Sequence, residues 1–411
     1  MATSVANGAP GALRPASVAE AAETLRELGA AGTPVHPVGS GSRAGWGGGS
    51  AGTELNTLGL NRILEHNPGD FTAILECGVQ LAEAQKVFAS AGQWLAWDPS
   101  PGGTIGGLVA TADSGPARHR YGGVRDLVIG VTLVLSDGTV ARSGGKVIKN
   151  VAGYDLGKLF TGSYGTLGLV AEVAVRLHPL PAGTATAVAS YSDPSALAQA
   201  ASDLSRRPLE ALSIDARWRD AAGRLLVRFG GVTATSQASR VASLLADAPD
   251  VTVVDDDEPL WEAQRTAQRS PDGAVLKVSH RPTALAAVLR AADSVGASVV
   301  SRAALGLSWL AFPAAAGQPV APAAAGPSAG SGPEDGPPSS STAPHDAELT
   351  AKVAAVRAAL APAAVTVLDG GDRVSAPWPD LDAGVVAVQQ RVKARFDPAR
   401  IFRPGAFVGG L

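Results

Sequence analysis

Cysteine is almost missing from this 411-residue chain, where Cys77 is the only one. That excludes an internal disulfide framework, and any cysteine-ligated zinc or iron–sulfur centre made by the chain alone. One free thiol suits a reducing compartment. Cationic excess is missing as well: 34 Lys plus Arg stand against 37 Asp plus Glu, a formal charge of −3. DNA and RNA are therefore poor candidates for the main partner. Long hydrophobic runs are also lacking. The stretch 127–135 falls far short of the roughly 20 residues of a membrane helix and is followed at once by the turn Ser136-Asp137-Gly138-Thr139, so membrane contact is expected to be peripheral at most. Residues 1–15 carry no basic segment followed by an apolar one, which makes the cytoplasm the expected location. A nucleotidase P-loop is absent too, since Lys146 and Lys158 are followed by Val147 and Leu159.

What is abundant is glycine and proline, 49 and 29 residues, against an ordinary share of about 12% for the two together. Hydrophobic content of 45% still argues for packed cores, and the length allows roughly two to three domains. Ser17 and Glu20 have capping-box spacing before a helical pattern that runs to Gly29 and Gly32. Val35-His36-Pro37-Val38 reads as a strand entering Gly39-Ser40-Gly41-Ser42, and 71–79 as a second strand feeding a helix over 81–91. Up to about residue 92 the pattern reads as alternating α/β. Residues 127–135 and 140–142 form an expected hairpin, and the β-rich run 167–177 ends at His178-Pro179-Leu180-Pro181, the first expected domain boundary.

Beyond that boundary, helices are expected over 194–204, 236–246, 259–269, 283–295, 347–360 and 381–396. Strands are expected over 212–217, 224–229, 251–254, 274–278, 298–300, 305–312 and 364–368. Hairpin strands with intervening helices predict an α+β layer of split β-α-β, ferredoxin-like type, not a parallel dinucleotide fold. Between Pro313 and Pro344 stand eight prolines and no aromatic residue, so 313–345 is expected to be a disordered insertion.

Gly39–Ser42 after a strand offers closely spaced backbone N–H groups for a pyrophosphate, but taken alone it fits a plain surface turn equally well. A Rossmann fingerprint is rejected: the third glycine, Gly45, comes one residue late and the sequence after it is too rich in glycine for a helix. More specific is an ordered set of segments: Pro101-Gly102-Gly103-Thr104-Ile105-Gly106-Gly107, Tyr121-Gly122-Gly123-Val124-Arg125-Asp126, Lys149-Asn150-Val151-Ala152-Gly153-Tyr154-Asp155 and Gly162-Ser163-Tyr164-Gly165-Thr166-Leu167-Gly168. Together they resemble the PCMH-type FAD-binding domain of vanillyl-alcohol-oxidase-type flavoenzymes. The "KNVAGYD" and "GSRAGWG" runs look like those of the FAD-binding subunit (E-type) of bacterial glycolate oxidase. The resemblance is dense over about 15–181 and resumes at Phe396-Asp397-Pro398, with Arg403 where that family usually has Asn.

The resemblance implies a fold of two-subdomain FAD-binding domain (1–181), α+β cap (182–380) and a C-terminal segment (381–411) returning to the FAD domain. It implies that Val38, Gly39, Ser40, Gly41 and Ser42 cradle the FAD pyrophosphate. Pro101, Gly102, Gly103, Thr104, Ile105 and Gly107 would run beside the flavin, where small residues let backbone come close. Thr111, Ala112 and Gly115 would touch flavin or phosphates, though Ala112 and Ser114 replace the family's usual Asn and Gly. Gly165, Thr166, Gly168, Leu169 and Val170 would pass the adenine or ribose end.

It implies further that the chain is one subunit of a glycolate (2-hydroxy acid) oxidase, passing hydride from the substrate α-carbon to flavin N5. Its partners would be a second FAD-binding subunit and an iron–sulfur subunit. FAD is expected to be noncovalent, because Arg43-Ala44-Gly45 follow the loop where some relatives carry a linking histidine. The family's late histidine–acid cluster is missing, since His280 and His345 lack that neighbourhood, and no catalytic base is assigned. A self-sufficient oxidase of another hydroxy acid, sugar or lactone, and a non-catalytic flavin-holding subunit, remain as alternatives.

Other residues carry plainer expectations. His66, His119 and His178 are expected to be surface or packing residues and Cys77 an inert core thiol in a strand. Tyr154-Asp155 either organises the domain junction or caps a helix over 156–160. Asp255-Asp256-Asp257-Glu258 is expected to be an N-terminal charge cluster, not a metal site.

Overall fold

The computed structural model describes residues 13–48, 52–146, 153–313 and 344–411. Most of the expected insertion 313–345, and part of the "KNVAGYD" run, lie outside the described residues. The chain opens with the helix Val18–Ala31, whose N-cap Ser17 accepts from the Glu20 N–H while the Glu20 carboxylate takes the Ala16 N–H at 2.8 Å; Gly32, at φ +62°, ends it in the left-handed conformation.

Two large sheets dominate the described residues. In the first half, a five-stranded antiparallel sheet has the order Ile63–Asn67, Thr72–Glu76, Leu169–Arg176, Val128–Val134, Val140–Gly144. Val35–Val38 stands apart and pairs in parallel with Thr53–Asn56. The alternating α/β reading up to residue 92 is thus only partly right. The strands Thr53–Asn56 and Ile63–Asn67 were not expected, because each is four or five residues with little alternation. Short helices at Ile105–Thr111, Arg118–Tyr121 and Val124–Leu127 occupy a stretch in which the sequence reading assigned no element.

The second half is one eight-stranded antiparallel sheet in the order Asp250–Val254, Thr184–Tyr191, Ala222–Gly230, Ser213–Arg219, Ser298–Arg302, Leu307–Phe312, Ala274–Ser279, Ala364–Val367. It consists of two consecutive β-α-β-β-α-β units joined edge to edge through Ser213–Arg219 and Ser298–Arg302. Each unit is a split β-α-β layer of the kind expected, and the duplication arises from register, not from any visible sequence repeat. Helices Pro194–Ser205, Ala234–Leu244, Leu285–Val295 and Pro344–Leu360 bury Leu197, Val241, Val288 and Val353 on one face of this sheet. The other face carries the helix Glu258–Thr266 and turns toward the first half, where Val275, Val300 and Trp309 pack with Trp46 and Tyr164.

The last helix, Ala383–Phe396, leads the chain back to the first half. Lys393 donates to the Thr166 and Phe402 carbonyls and to Asp397, all within 2.7 Å, while Asp397 accepts from the backbone N–H groups of Ile401 and Phe402. Phe402 forms a parallel bridge with Val35, the first residue of the strand that feeds the glycine loop.

The acidic run stands at the N-terminus of the helix Glu258–Thr266, as expected; within it Asp257, the N-cap residue, is buried, ion-pairs with Arg228 at 2.8 Å and accepts from the Thr184 and Thr186 hydroxyls. Asp155 does cap Leu156–Phe160, accepting from the Lys158 N–H. His66 and His178 pack edge-on or tilted against Phe88 and Tyr121, as packing residues do.

Candidate functional site

The strand Val35–Val38, one side of the helix Ile105–Thr111, the loop 163–168 and the start of Leu169–Arg176 converge on one cleft. Thirteen of the residues singled out from sequence line it: Val38, Gly39, Ser40, Gly41, Ser42, Gly103, Thr104, Gly107, Thr111, Gly165, Gly168, Leu169 and Val170. They come from segments more than 120 positions apart, so their meeting is a tertiary event.

Six others lie outside that lining, each for a local reason. Ile105 is buried in the hydrophobic core beside Leu108. Ala112 ends the helix in the left-handed conformation at φ +52°. At Gly115 a Cβ would stand 1.4 Å from the Asp98 carbonyl oxygen, so backbone packing requires that glycine. Thr166 is buried and donates to the Ser163 carbonyl at 2.7 Å. Pro101 and Gly102 border a second, wider cleft with Gln80, Trp94, Asp98 and Arg265, and Gly103 is the wall both clefts share.

The glycines of the first cleft serve two different needs. A Cβ on Gly39 would lie 2.2 Å from Thr104 Oγ1, one on Gly106 2.6 Å from Cys77 Cβ, and one on Gly103 2.7 Å from Arg43 Nη1. These three let the loop and the helix close against each other. Gly41, at φ +71°, is different, because a Cβ there would meet no protein atom within 4 Å. The loop therefore leaves an open cradle at Gly41.

Sequence reasoning missed several residues of the lining, chiefly His36, Arg43, Thr57, Cys77, Ser163, Tyr164 and Arg403. Arg403 was marked only as a departure from a family pattern; its Nη1 donates to the Tyr164 carbonyl at 2.7 Å. Ser163 Oγ and Arg403 Nε are buried without a hydrogen-bond partner. Orphaned donors of this kind in a cleft wall await a polar ligand. Cys77 is buried just beyond its strand, and burial pushes its thiol up to about 12, as an inert thiol requires. Burial, assisted by the Arg403 charge, lowers His36 to about 4, so its ring is neutral at physiological pH.

Arg43 organises the wall between the two clefts. It donates to Asp113 from Nε and Nη2, to the Gly102 carbonyl and to the Ser100 carbonyl, with distances between 2.6 and 3.0 Å. From the eight-stranded half, Arg269 reaches across to the Ser42 carbonyl at 2.8 Å while ion-pairing with Asp369, which also accepts from Trp46 Nε1. Arg265 pairs with Asp98 at 3.1 Å. The glycine loop is thus fixed from both halves.

An open backbone loop at Gly41 and a cleft wall with orphaned donors are features that a nucleotide cofactor could use, and they stand on an α+β fold. Residues 9–144 match the family model described as an FAD binding domain, and FAD is the cofactor of this domain. The chain is 40% identical over 177 residues to "Glycolate oxidase subunit GlcD" of Bacillus subtilis (strain 168), covering 42% of this chain and 37% of that one. It is 38% identical over 152 residues to "Glycolate oxidase subunit GlcE" of Escherichia coli (strain K12), covering 36% and 43%. A third relative, the mitochondrial "D-lactate dehydrogenase [cytochrome]" of Arabidopsis thaliana, is 36% identical over 132 residues, 32% of this chain and 23% of that one. These matches span less than half the length of each relative. In fold, the chain resembles an Acremonium strictum glucooligosaccharide oxidase with TM-score 0.68 at 14% identity, covering 98% of this chain and 94% of that one. It also resembles the Physcomitrella patens BBE-like 1 wild-type structure with TM-score 0.66 at 15% identity, covering 95% and 89%. Among the described residues, no helix is long and apolar enough to cross a membrane.

Proposed function

We propose that the chain is the FAD-carrying subunit of a 2-hydroxy-acid oxidase or dehydrogenase, with glycolate the leading substrate and glyoxylate its product. One observation carries the reading: segments separated in sequence meet in a single cleft inside a region that matches an FAD binding domain, and relatives of that region include two glycolate oxidase subunits. Bound FAD supplies the acceptor for the two electrons of the substrate's α-carbon–hydrogen bond.

In this reading the chain's own residues position and tune. The backbone of Gly39–Ser42 holds the pyrophosphate, Ser163 Oγ and Arg403 Nε complete the polar wall, and Leu169 and Val170 border the adenine end. Pro101–Gly107 and Thr111–Gly115 flank the ring, and Arg43 fixes the spacing between these two segments. The FAD domain is 1–181, the cap 182–380 and the returning segment 381–411. That division is supported by the two separate sheets and by the Lys393 and Phe402 contacts. FAD is held noncovalently. A second flavin subunit and an iron–sulfur subunit complete the complex, since the chain has one cysteine for any relay of its own.

The test is anaerobic mixing of the FAD-loaded chain with glycolate or D-lactate while flavin absorbance is followed. The subunit reading expects slow or no bleaching until the partner subunits are added. Bleaching of the lone chain at about 1 per second or faster would replace it with a self-sufficient oxidase.

A further inference from the structure

The backbone of the glycine loop is sorted by polarity. The carbonyls of Gly41, Ser42 and Arg43 are each taken by a donor: the Ala44 N–H at 3.1 Å, Arg269 Nη2 at 2.8 Å and the Trp46 N–H at 3.1 Å. The N–H groups of Ser40, Gly41, Ser42 and Arg43 donate to nothing among the described residues. Consecutive N–H groups left free in a glycine turn form a concavity for an anion. Two of the three carbonyls are tied within the loop itself. The third, that of Ser42, is tied only from the cap.

A trans peptide carries its C=O and its N–H on opposite sides. Holding the Ser42 carbonyl toward Arg269 therefore keeps the next N–H, that of Arg43, turned away from it. Rotation of a released Ser42–Arg43 plane would exchange a donor for an acceptor where a phosphate is to be met. Arg269 is itself held. It stands just past the helix Glu258–Thr266, its Nε donates to both oxygens of Asp369 at 3.1 and 2.8 Å, and its guanidinium lies 5.1 Å from the centre of the Trp46 ring. Asp369, just past the strand Ala364–Val367, is buried and also accepts from Trp46 Nε1 and the Ser270 N–H, each at 2.8 Å. One cap carboxylate thus holds both Arg269 and Trp46, and through them the loop from Ser42 to Trp46. Neither Arg269 nor Asp369 is among the residues that line the cofactor cleft, so their effect on it runs through the loop.

We propose that Arg269 and Asp369 are positioning residues for cofactor binding: through them the cap sets the Ser42–Arg43 peptide so that the loop presents donors to the cofactor's phosphates. This rests on the functional reading above, and it adds that flavin affinity is governed from the cap and not by the FAD domain alone. The coupling is reciprocal, so FAD that orders the loop also strengthens the cap's hold on it.

The experiment follows FAD uptake by the flavin-stripped full chain through quenching of flavin fluorescence. Arg269→Met should weaken FAD binding about tenfold or more, the usual effect of losing a charge-assisted hydrogen bond. Asp369→Asn, which keeps an acceptor for Trp46, should weaken it by less. Arg228→Met removes a buried ion pair with Asp257 elsewhere in the cap, and it should lower the melting temperature while leaving FAD affinity unchanged. Titrating the same stripped chains with ADP and with adenosine separates positioning from general damage. The wild type should prefer ADP, and Arg269→Met should lose that preference while its adenosine affinity stays. If Arg269→Met does not fold, Asp369→Asn decides alone. Wild-type FAD affinity in the folded variants overturns the proposal, as does an equal loss of ADP and adenosine, or a wild type that binds FAD yet does not prefer ADP. A wild type that takes up no FAD overturns the FAD-dependent reading itself.

Discussion

Arg43 and Asp113, 70 residues apart, meet at 2.6 Å with their side chains 4% and 2% exposed. One lies in the glycine loop and the other just past the helix Ile105–Thr111, so this ion pair fixes the distance between the two segments proposed to hold the cofactor.

Breaking that pair from one side leaves a buried charge. Arg43→Met should therefore destabilise the protein by about 3–5 kcal/mol, and Arg43→Lys, which keeps charge but loses the fork, by less. Thermal melts with and without FAD check this. A Met variant that melts with the wild type would show that the pair holds nothing in place.

Gly41→Val should reduce FAD affinity more than it reduces stability. The added side chain meets no protein atom, so the fold bears only backbone strain from φ +71°, about 1–2 kcal/mol. Gly39→Val should fail differently, in the apo protein already, because its Cβ would clash with Thr104 Oγ1. Comparing apo melting temperature with FAD content for the two variants tests the distinction.

His36 gives a pH signature. Its folded pKa of about 4 lies below the ordinary 6.5, so the unfolded state takes up the proton first on acidification. The stabilisation is present in full above pH 6.5 and is lost as pH falls from 6.5 toward 4, by about 1 kcal/mol once solvent screening of the partly exposed ring is allowed for. Asp215, raised to about 6 by burial, works in the opposite sense over part of the same window. The readout is accordingly the difference between wild type and His36→Gln, measured by urea melts from pH 7.5 to 4.5. Parallel curves for the two proteins would rule the His36 effect out.

Flavin should leave the protein on acid precipitation. The glycine loop has no histidine, and Cys77, whose thiol burial holds at about 12, is a poor nucleophile for a flavin linkage. Yellow colour that stays with the washed precipitate would establish a covalent bond.

Much of the fold was legible because its signals are local. Ser17 with Glu20 and the β-rich run that contains Leu169–Arg176 specify a cap and a strand within a few residues each. The ordered glycine segments were equally readable, since the sequence itself carries their spacing. Thr53–Asn56 and the helix Ile105–Thr111 were not, because a four-residue strand and a glycine-bearing helix have weak intrinsic preference and exist through their neighbours.

The sequence by itself determined that this is an α+β chain, because turn chemistry and hydrophobic period act over a few residues, while its ordered glycine segments carried the resemblance to an FAD-binding domain. Only the tertiary structure decided which of those residues share a wall. It turned Ile105 and Thr166 inward and brought Ser163, Arg403 and His36 to the cleft. The reason is physical: side-chain orphaning, desolvation and charge pairing depend on partners 70 to more than 200 positions away, and no local pattern encodes who those partners are.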